Sequence, residues 1–151
     1  MKTILAAVDT SKVSELVVAE AANLARAAKG RVILVTVVQP PVITSEYAPV
    51  MENFAEIVAA GEQAAARHLA KLQKRLELDG VSSQTVQLSG APVTNILAKA
   101  KEYKTDYIVL GSHGHTAFYD LLVGSTTHGV LLRAECPVVI LPPSDKNVRR
   151  T

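Results

Sequence analysis

Hydrophobic positions along the chain fall into two rhythms. Short apolar runs stand at Ile4–Val8, Val32–Val38, Val86–Leu88, Tyr107–Leu110 and Val138–Leu141. Most are rich in Val and Ile and do not alternate with polar residues, the pattern of strands covered on both faces, as in a parallel sheet. The third differs. Around Ser82–Leu88, Val81, Thr85 and Gln87 are set against Gln84, Val86 and Leu88, which predicts an edge strand.

Between these runs, apolar residues recur at spacings of three and four. Val13–Ala28 gathers Leu16, Val17, Ala21, Leu24, Ala25 and Ala28 on one face, with Thr10 or Ser11 as N-cap and Gly30 as the stop. Asn53–Leu78 carries Phe54, Ile57, Val58, Ala65, Leu69, Leu72 and Leu76, and ends before Gly80. Pro92 takes the first position of a third helix, whose inward face is Val93, Ile96, Leu97 and Ala100. Ala91 precedes it without a capping side chain. A fourth helix runs from Ser125 to Arg133 with Val130 and Leu131 inward. Gly129 inside it costs roughly 0.8–1 kcal/mol relative to Ala, which close packing against the neighbouring loop would explain.

The order β-α-β-loop-α-β-α-β-loop-α-β implies right-handed βαβ units and a parallel sheet with helices on both faces. Residues 1–143 read as one domain and 144–151 as a flexible tail. Gln39–Met51 is a longer connection with three prolines and no periodicity. The 151 residues, 48% hydrophobic and 20% charged, exclude a disordered chain. A single Cys excludes an intrachain disulfide and fits a reducing compartment. Net charge of +2, 4% aromatics and no Trp argue against a nucleic-acid partner. No apolar run approaches the ~18 residues that a membrane span needs. The first apolar run is too short for a secretory signal, so a cytoplasmic location is expected.

In open α/β sheets, ligands sit beyond the carboxyl ends of the strands where strand order reverses. Asp9-Thr10-Ser11-Lys12 follows the first strand. Gly111-Ser112-His113-Gly114-His115-Thr116 follows the fourth, and Gly124-Ser125-Thr126-Thr127 opens the last helix. Glycine lets backbone approach a ligand closely or take positive φ. A helix N-terminus with free N–H groups favours an anion, so a phosphate chain fits this stretch. The same glycines also read as plain turns, and Ser125 as a cap. Asp9 reads either as a helix-capping carboxylate or as a ligand for a nucleotide-bound Mg²⁺. His113 and His115 have no Cys or carboxylate partner nearby, which favours phosphate contact over a metal site. His128 is placed to face the crevice. His68, Lys71, Lys74 and Arg75 read as a solvated helix face, and Cys136 as a buried, inert thiol. No Gly-x4-Gly-Lys-[Ser/Thr] run exists, and no Gly-x-Gly-x-x-Gly follows the first strand.

Gly111-x2-Gly114-x9-Gly124-Ser125 resembles the nucleotide-binding signature of the universal stress protein family, ATP-binding subgroup. Ile4–Ser11 resembles that family's first strand and acidic turn, and Cys136–Leu141 its last strand. The resemblance implies a five-stranded parallel sheet in the order 3-2-1-4-5. It also implies an adenine nucleotide (ATP, ADP or AMP, with Mg²⁺ near Asp9) held by Gly111, Ser112, His113, Gly114, Gly124, Ser125 and Thr126. Ala7, Val37 and Leu110 would lie along the adenine, beside Asp9 and Thr10. Thr10 replaces a common Gly, so that turn must avoid positive φ. Taken together, the chain is expected to be a stress-response regulatory protein in which occupancy orders the 111–124 loop for an unknown protein partner. A homodimer through Val138, Val139, Ile140 and Leu141 is expected as well. A slow ATP hydrolase or phosphotransferase, and a nucleotide-free dimeric module, are the alternatives.

Overall fold

Four apolar runs and one alternating edge strand pair side by side, and the crossovers between them carry the helices to the two faces. The computed structural model describes residues 1–40, 53–112 and 123–143. The elements are β1 (Thr3–Ala7), α1 (Val13–Ala28), β2 (Arg31–Val38), α2 (Phe54–Leu78), β3 (Ser83–Ser89), α3 (Pro92–Glu102), β4 (Tyr107–Gly111), α4 (Ser125–Arg133) and β5 (Val138–Leu141). They form one parallel sheet in the order β3-β2-β1-β4-β5, as expected. Strand order therefore reverses at β1, which pairs with β2 from Thr3–Arg31 to Ala7–Val35 and with β4 from Ile4–Tyr107 to Ala6–Val109.

Alternation along the buried strands splits the core in two. Ile4, Ala6, Val32, Leu34 and Val109 pack beneath α1 and α2, against Val17, Val18, Ala21, Leu69, Leu72 and Leu76. Leu5, Ile33, Val35, Ile108 and Leu110 pack on the other face against Ile96 of α3 and Val130 of α4. The edge strand β3 contributes Val86 and Leu88 to this second cluster. Among the described residues no helix is long and apolar enough to cross a membrane.

Several local expectations are corrected. Gly30 is not the left-handed stop of α1: Lys29 takes that conformation, at φ 50°. Gly30 is required for space instead, because a Cβ there would stand 2.4 Å from the Lys2 carbonyl oxygen. Gly129 does serve close packing, but against α3, where a Cβ would meet Val93 Cγ2 at 2.7 Å. Leu131 is not inward; it is 50% exposed, and Ile57 in the first turns of α2 equally so. The expected tail, 144–151, lies outside the described residues.

Candidate functional site

The carboxyl ends of β1, β2 and β4 open into a crevice of about 760 Å³, within the size range of small-molecule pockets. β1 and β2 stay tied beyond Ala7. The Val8 N–H donates to the Val35 carbonyl at 2.9 Å, and Thr36 Oγ1 donates back to the Val8 carbonyl at 2.8 Å. The chain then turns at Asp9. Its Oδ1 accepts from the Ser11 N–H at 2.8 Å and from the Ser11 hydroxyl, an Asx turn that closes before α1. Ser14 Oγ accepts from the Asp9 N–H at 2.9 Å and lies 2.8 Å from the Asp9 carbonyl oxygen.

This arrangement settles the start of α1 differently from the expectation. Lys12 holds the N-cap position with no side-chain cap, because the Ser11 hydroxyl is committed to Asp9. Thr10 stays out of the left-handed region, as its missing glycine required. Asp9 Oδ2 makes no hydrogen bond among the described residues, which leaves one carboxylate oxygen turned to other use.

On the β4 side, the Ser112 N–H donates to the Leu141 carbonyl at 2.8 Å, and the Gly124 N–H donates to the Ser112 carbonyl at 2.6 Å. Thr127 Oγ1 donates to the Gly111 carbonyl at 2.6 Å. These bonds seat the N-terminus of α4 against the end of β4 and bring Gly124, Ser125 and Thr126 into the crevice wall. Neither Gly111 nor Gly124 has positive φ; Gly124 is extended at φ −66°, ψ 160°. Gly111 needs its missing Cβ for another reason: a Cβ would stand 2.6 Å from Val13 Cγ1.

The crevice gathers Ala7, Asp9, Thr10, Val37, Leu110, Gly111, Gly124, Ser125 and Thr126, from parts of the chain far apart in sequence. Ser112 is buried beside it and does not line it. His113, Gly114 and His115 lie outside the described residues. His128 does not face the crevice and is exposed on α4. Residues that the sequence did not assign to the site also line it: Gly61 and Ala64 of α2, Gln39, and three read only as core or helix-start positions, Ala65, Pro92 and Ile96. Small apolar side chains carry no chemical signal, so only the packing of α2 over the strand ends reveals them. The one usable signal was Thr36, a lone hydroxyl within an apolar strand.

Asp9 is the single charged side chain among the described lining residues. No group of three or more His, Cys, Asp or Glu able to hold a metal ion occurs among the described residues. Cys136 is half-buried, and burial pushes its thiol up from the ordinary range, with Asp106 and Glu135 adding to the effect. That is the inert thiol expected. His68 departs from the solvated reading: it is half-buried between α1 and α2, and its Nε2 is buried without a hydrogen-bond partner.

Residues 1–142 match the sequence profile of the universal stress protein family. A universal stress protein of Thermus aquaticus is 32% identical over 145 residues, 93% of this chain and 98% of that one. One of Methanocaldococcus jannaschii is 36% identical over 78 residues, so the match spans 52% of this chain and 46% of that protein. Among solved structures, the universal stress protein UspA from Lactobacillus plantarum superposes with a TM-score of 0.81 at 27% identity, covering 93% of this chain and 97% of that one. The dAMP complex of a universal stress protein from Archaeoglobus fulgidus shares the fold, with a TM-score of 0.64 at 23% identity over 93% and 96% of the two chains.

Proposed function

Since this chain belongs to the universal stress protein family, we propose that it is a cytoplasmic stress-response regulator that binds an adenine nucleotide in the crevice at the ends of β1, β2 and β4. One observation carries this reading. The crevice joins an apolar slot (Ala7, Val37, Leu110) to a hydroxyl-lined helix N-terminus (Gly124, Ser125, Thr126). A base and a phosphate chain need those two surfaces side by side. The relative from Archaeoglobus fulgidus, which holds dAMP on the same fold, supports the choice of an adenine nucleotide.

In this reading Ala7, Val37 and Leu110 flank the adenine. Gly124, Ser125 and Thr126 hold phosphates, with Gly111 and Ser112 fixing the wall behind them; His113 and Gly114 are assigned to the same nucleotide by the family signature alone. Asp9 has one oxygen committed to Ser11 and one available, so it contributes a single ligand to Mg²⁺. A metal therefore arrives on the nucleotide, whose phosphates supply the other oxygens. Occupancy of the crevice, rather than turnover, is the signal that a protein partner reads.

The chain acts as a homodimer. β5 pairs with β4 on one side only, and Val138, Val139, Ile140 and Leu141 are all half-buried on the sheet edge. An apolar edge of this kind invites a second strand. The direct test is to denature purified protein by heat and identify the nucleotide in the supernatant. Stoichiometric AMP, ADP or ATP is expected. A supernatant free of nucleotide, together with no binding of added ATP or AMP, would overturn the reading in favour of a nucleotide-free dimeric module.

A further inference from the structure

β2 outruns β1, and its last residues border the crevice without a neighbour on that side. The β1–β2 pairing ends at Ala7–Val35, while β2 continues to Val38. Along β2 the backbone groups turn alternately to its two neighbours. The Arg31 N–H donates to the Lys2 carbonyl and the Val35 carbonyl accepts from the Val8 N–H, so odd-numbered residues face β1. The Val32 N–H donates to the Ser82 carbonyl and the Val38 carbonyl accepts from the Gly90 N–H, so even-numbered residues face β3. Val37 therefore turns its N–H and C=O toward β1. The carbonyl that the ladder would offer it there, that of Val8, accepts from Thr36 Oγ1 instead. A backbone donor and acceptor thus border the crevice beside the apolar slot of Ala7, Val37 and Leu110.

Gln39 stands two positions further on, just past the end of β2, and lines the same crevice. Its carboxamide makes no hydrogen bond among the described residues. The hydroxyls of Ser14, Thr36 and Thr127 in the same lining are bonded to backbone carbonyls. Gln39 is also the one described lining side chain that carries a donor and an acceptor on separate atoms. Adenine presents two donor–acceptor edges that share its N6 amino group, N6 with N1 and N6 with N7. A carboxamide matches the N6 and N7 pair with two hydrogen bonds, its oxygen accepting from N6 and its NH₂ donating to N7. We infer that Gln39 is a specificity-determining residue that reads N6 and N7 of the base, while the Val37 N–H and C=O meet N1 and N6. This rests on the nucleotide reading above and deepens it: a side chain just beyond β2, outside the glycine-spaced stretch, selects the base. Guanine would set its N1–H against the Val37 N–H and its O6 against the Val37 carbonyl, which opposes binding.

The test compares ATP with 7-deaza-ATP by calorimetry on the full chain and on its Gln39→Leu and Gln39→Glu variants. In 7-deaza-ATP a C–H replaces N7, while N1, N6, ribose and phosphates are unchanged. Gln39 is exposed, so the fold is expected to survive both substitutions. The wild-type chain should bind ATP about tenfold more tightly than 7-deaza-ATP, equivalent to ~1.4 kcal/mol. Gln39→Leu should bind the two alike. Gln39→Glu, which keeps an acceptor for N6 but has no donor for N7, should lose the preference as well. Equal affinities in the wild-type chain, or a preference for ATP that survives in either variant, would overturn the role of Gln39 and leave the nucleotide reading standing. A wild-type chain that binds neither nucleotide would overturn both.

Discussion

The first residue of α1 closes over the last residue of β4: a Cβ on Gly111 would stand 2.6 Å from Val13 Cγ1 and 3.0 Å from Cγ2. Val13 is buried, and both residues line the main crevice. The glycine therefore sets how near α1 approaches the sheet at the point where strand order reverses. Gly111→Ala should destabilise the chain by about 1–3 kcal/mol through overpacking. Val13→Ala in the same chain should recover part of that loss. Urea denaturation of the two single variants and the double variant measures the coupling, and strictly additive effects would show that the contact does not matter.

Gly124 and Ser125 test the proposed phosphate wall. Gly124 is extended rather than left-handed, so a valine fits its backbone while its side chain crowds the crevice. Ser125 is exposed at the helix start, and a carboxylate there repels an anion. Gly124→Val and Ser125→Asp should each weaken ATP binding more than tenfold, that is ~1.4 kcal/mol, with circular dichroism unchanged. Wild-type affinity in either folded variant counts against the wall.

Turnover should be slow or absent. Phosphoryl transfer needs a positioned water, a group to orient it and stabilisation of the transferring group. Asp9 is already engaged through Oδ1, and the segment from Ser112 to Val123 contains no Lys or Arg. Product release followed with Mg²⁺ and excess ATP should stay well below about 1 s⁻¹. A faster rate that disappears in Asp9→Ala or His113→Ala would establish an ATPase.

The outer edge of β5, proposed to pair with a second copy, has a defined polarity. The Pro137 and Leu141 carbonyls accept from Ile108 and Ser112, so by alternation Val138 and Ile140 turn their N–H and C=O groups away from β4. Val138→Pro removes an outward donor and leaves the β4 ladder alone. It should give a monomer in sedimentation. Val139→Lys, a charge on the same half-buried strand, should act in the same direction. A wild-type chain that is monomeric at micromolar concentration contradicts the dimer.

Acid stability should depend on Asp106, at the opposite end of the sheet. Its carboxylate accepts from the Thr3 N–H at 2.8 Å and from Lys2 Nζ at 3.1 Å. The Thr3 bond first, and Lys2 second, hold its carboxyl below the ordinary value of 3.8. A carboxyl lowered in the folded state adds stability that is present above its unfolded pKa and is lost as pH falls through its folded pKa. Asp106→Asn should therefore be less stable than wild type at pH 7, and the difference should shrink below about pH 4. Denaturation at pH 7 and at pH 3 measures it; a constant difference argues against the linkage.

Element order and a parallel sheet with helices on both faces were legible because apolar runs and three-to-four spacings report which face of a segment is covered; the strand order 3-2-1-4-5, and with it the place of the crevice, came from the resemblance to the family. What covers each face was not legible. Gly30, Gly111 and Gly129 read equally as turns, ligand contacts or helix defects. Their actual partners, Lys2, Val13 and Val93, are set only by tertiary approach. Gly61 and Ala64 gave no signal, and Ala65 read only as core, because a crevice wall of small residues looks like any helix. His68 read as solvated because helical period identifies a polar face without showing that α1 stands opposite it.

Ser14, Thr36 and Thr127 are buried hydroxyls that meet backbone carbonyls at the crevice rim, of Asp9, Val8 and Gly111 respectively. The rim is thereby braced from inside the protein, and its shape does not depend on a guest. A ligand entering such a frame loses its own freedom without also having to order the described walls. Binding there should carry the thermodynamics of a rigid receptor, with a heat-capacity change set by the surface covered and no contribution from folding of these strand ends.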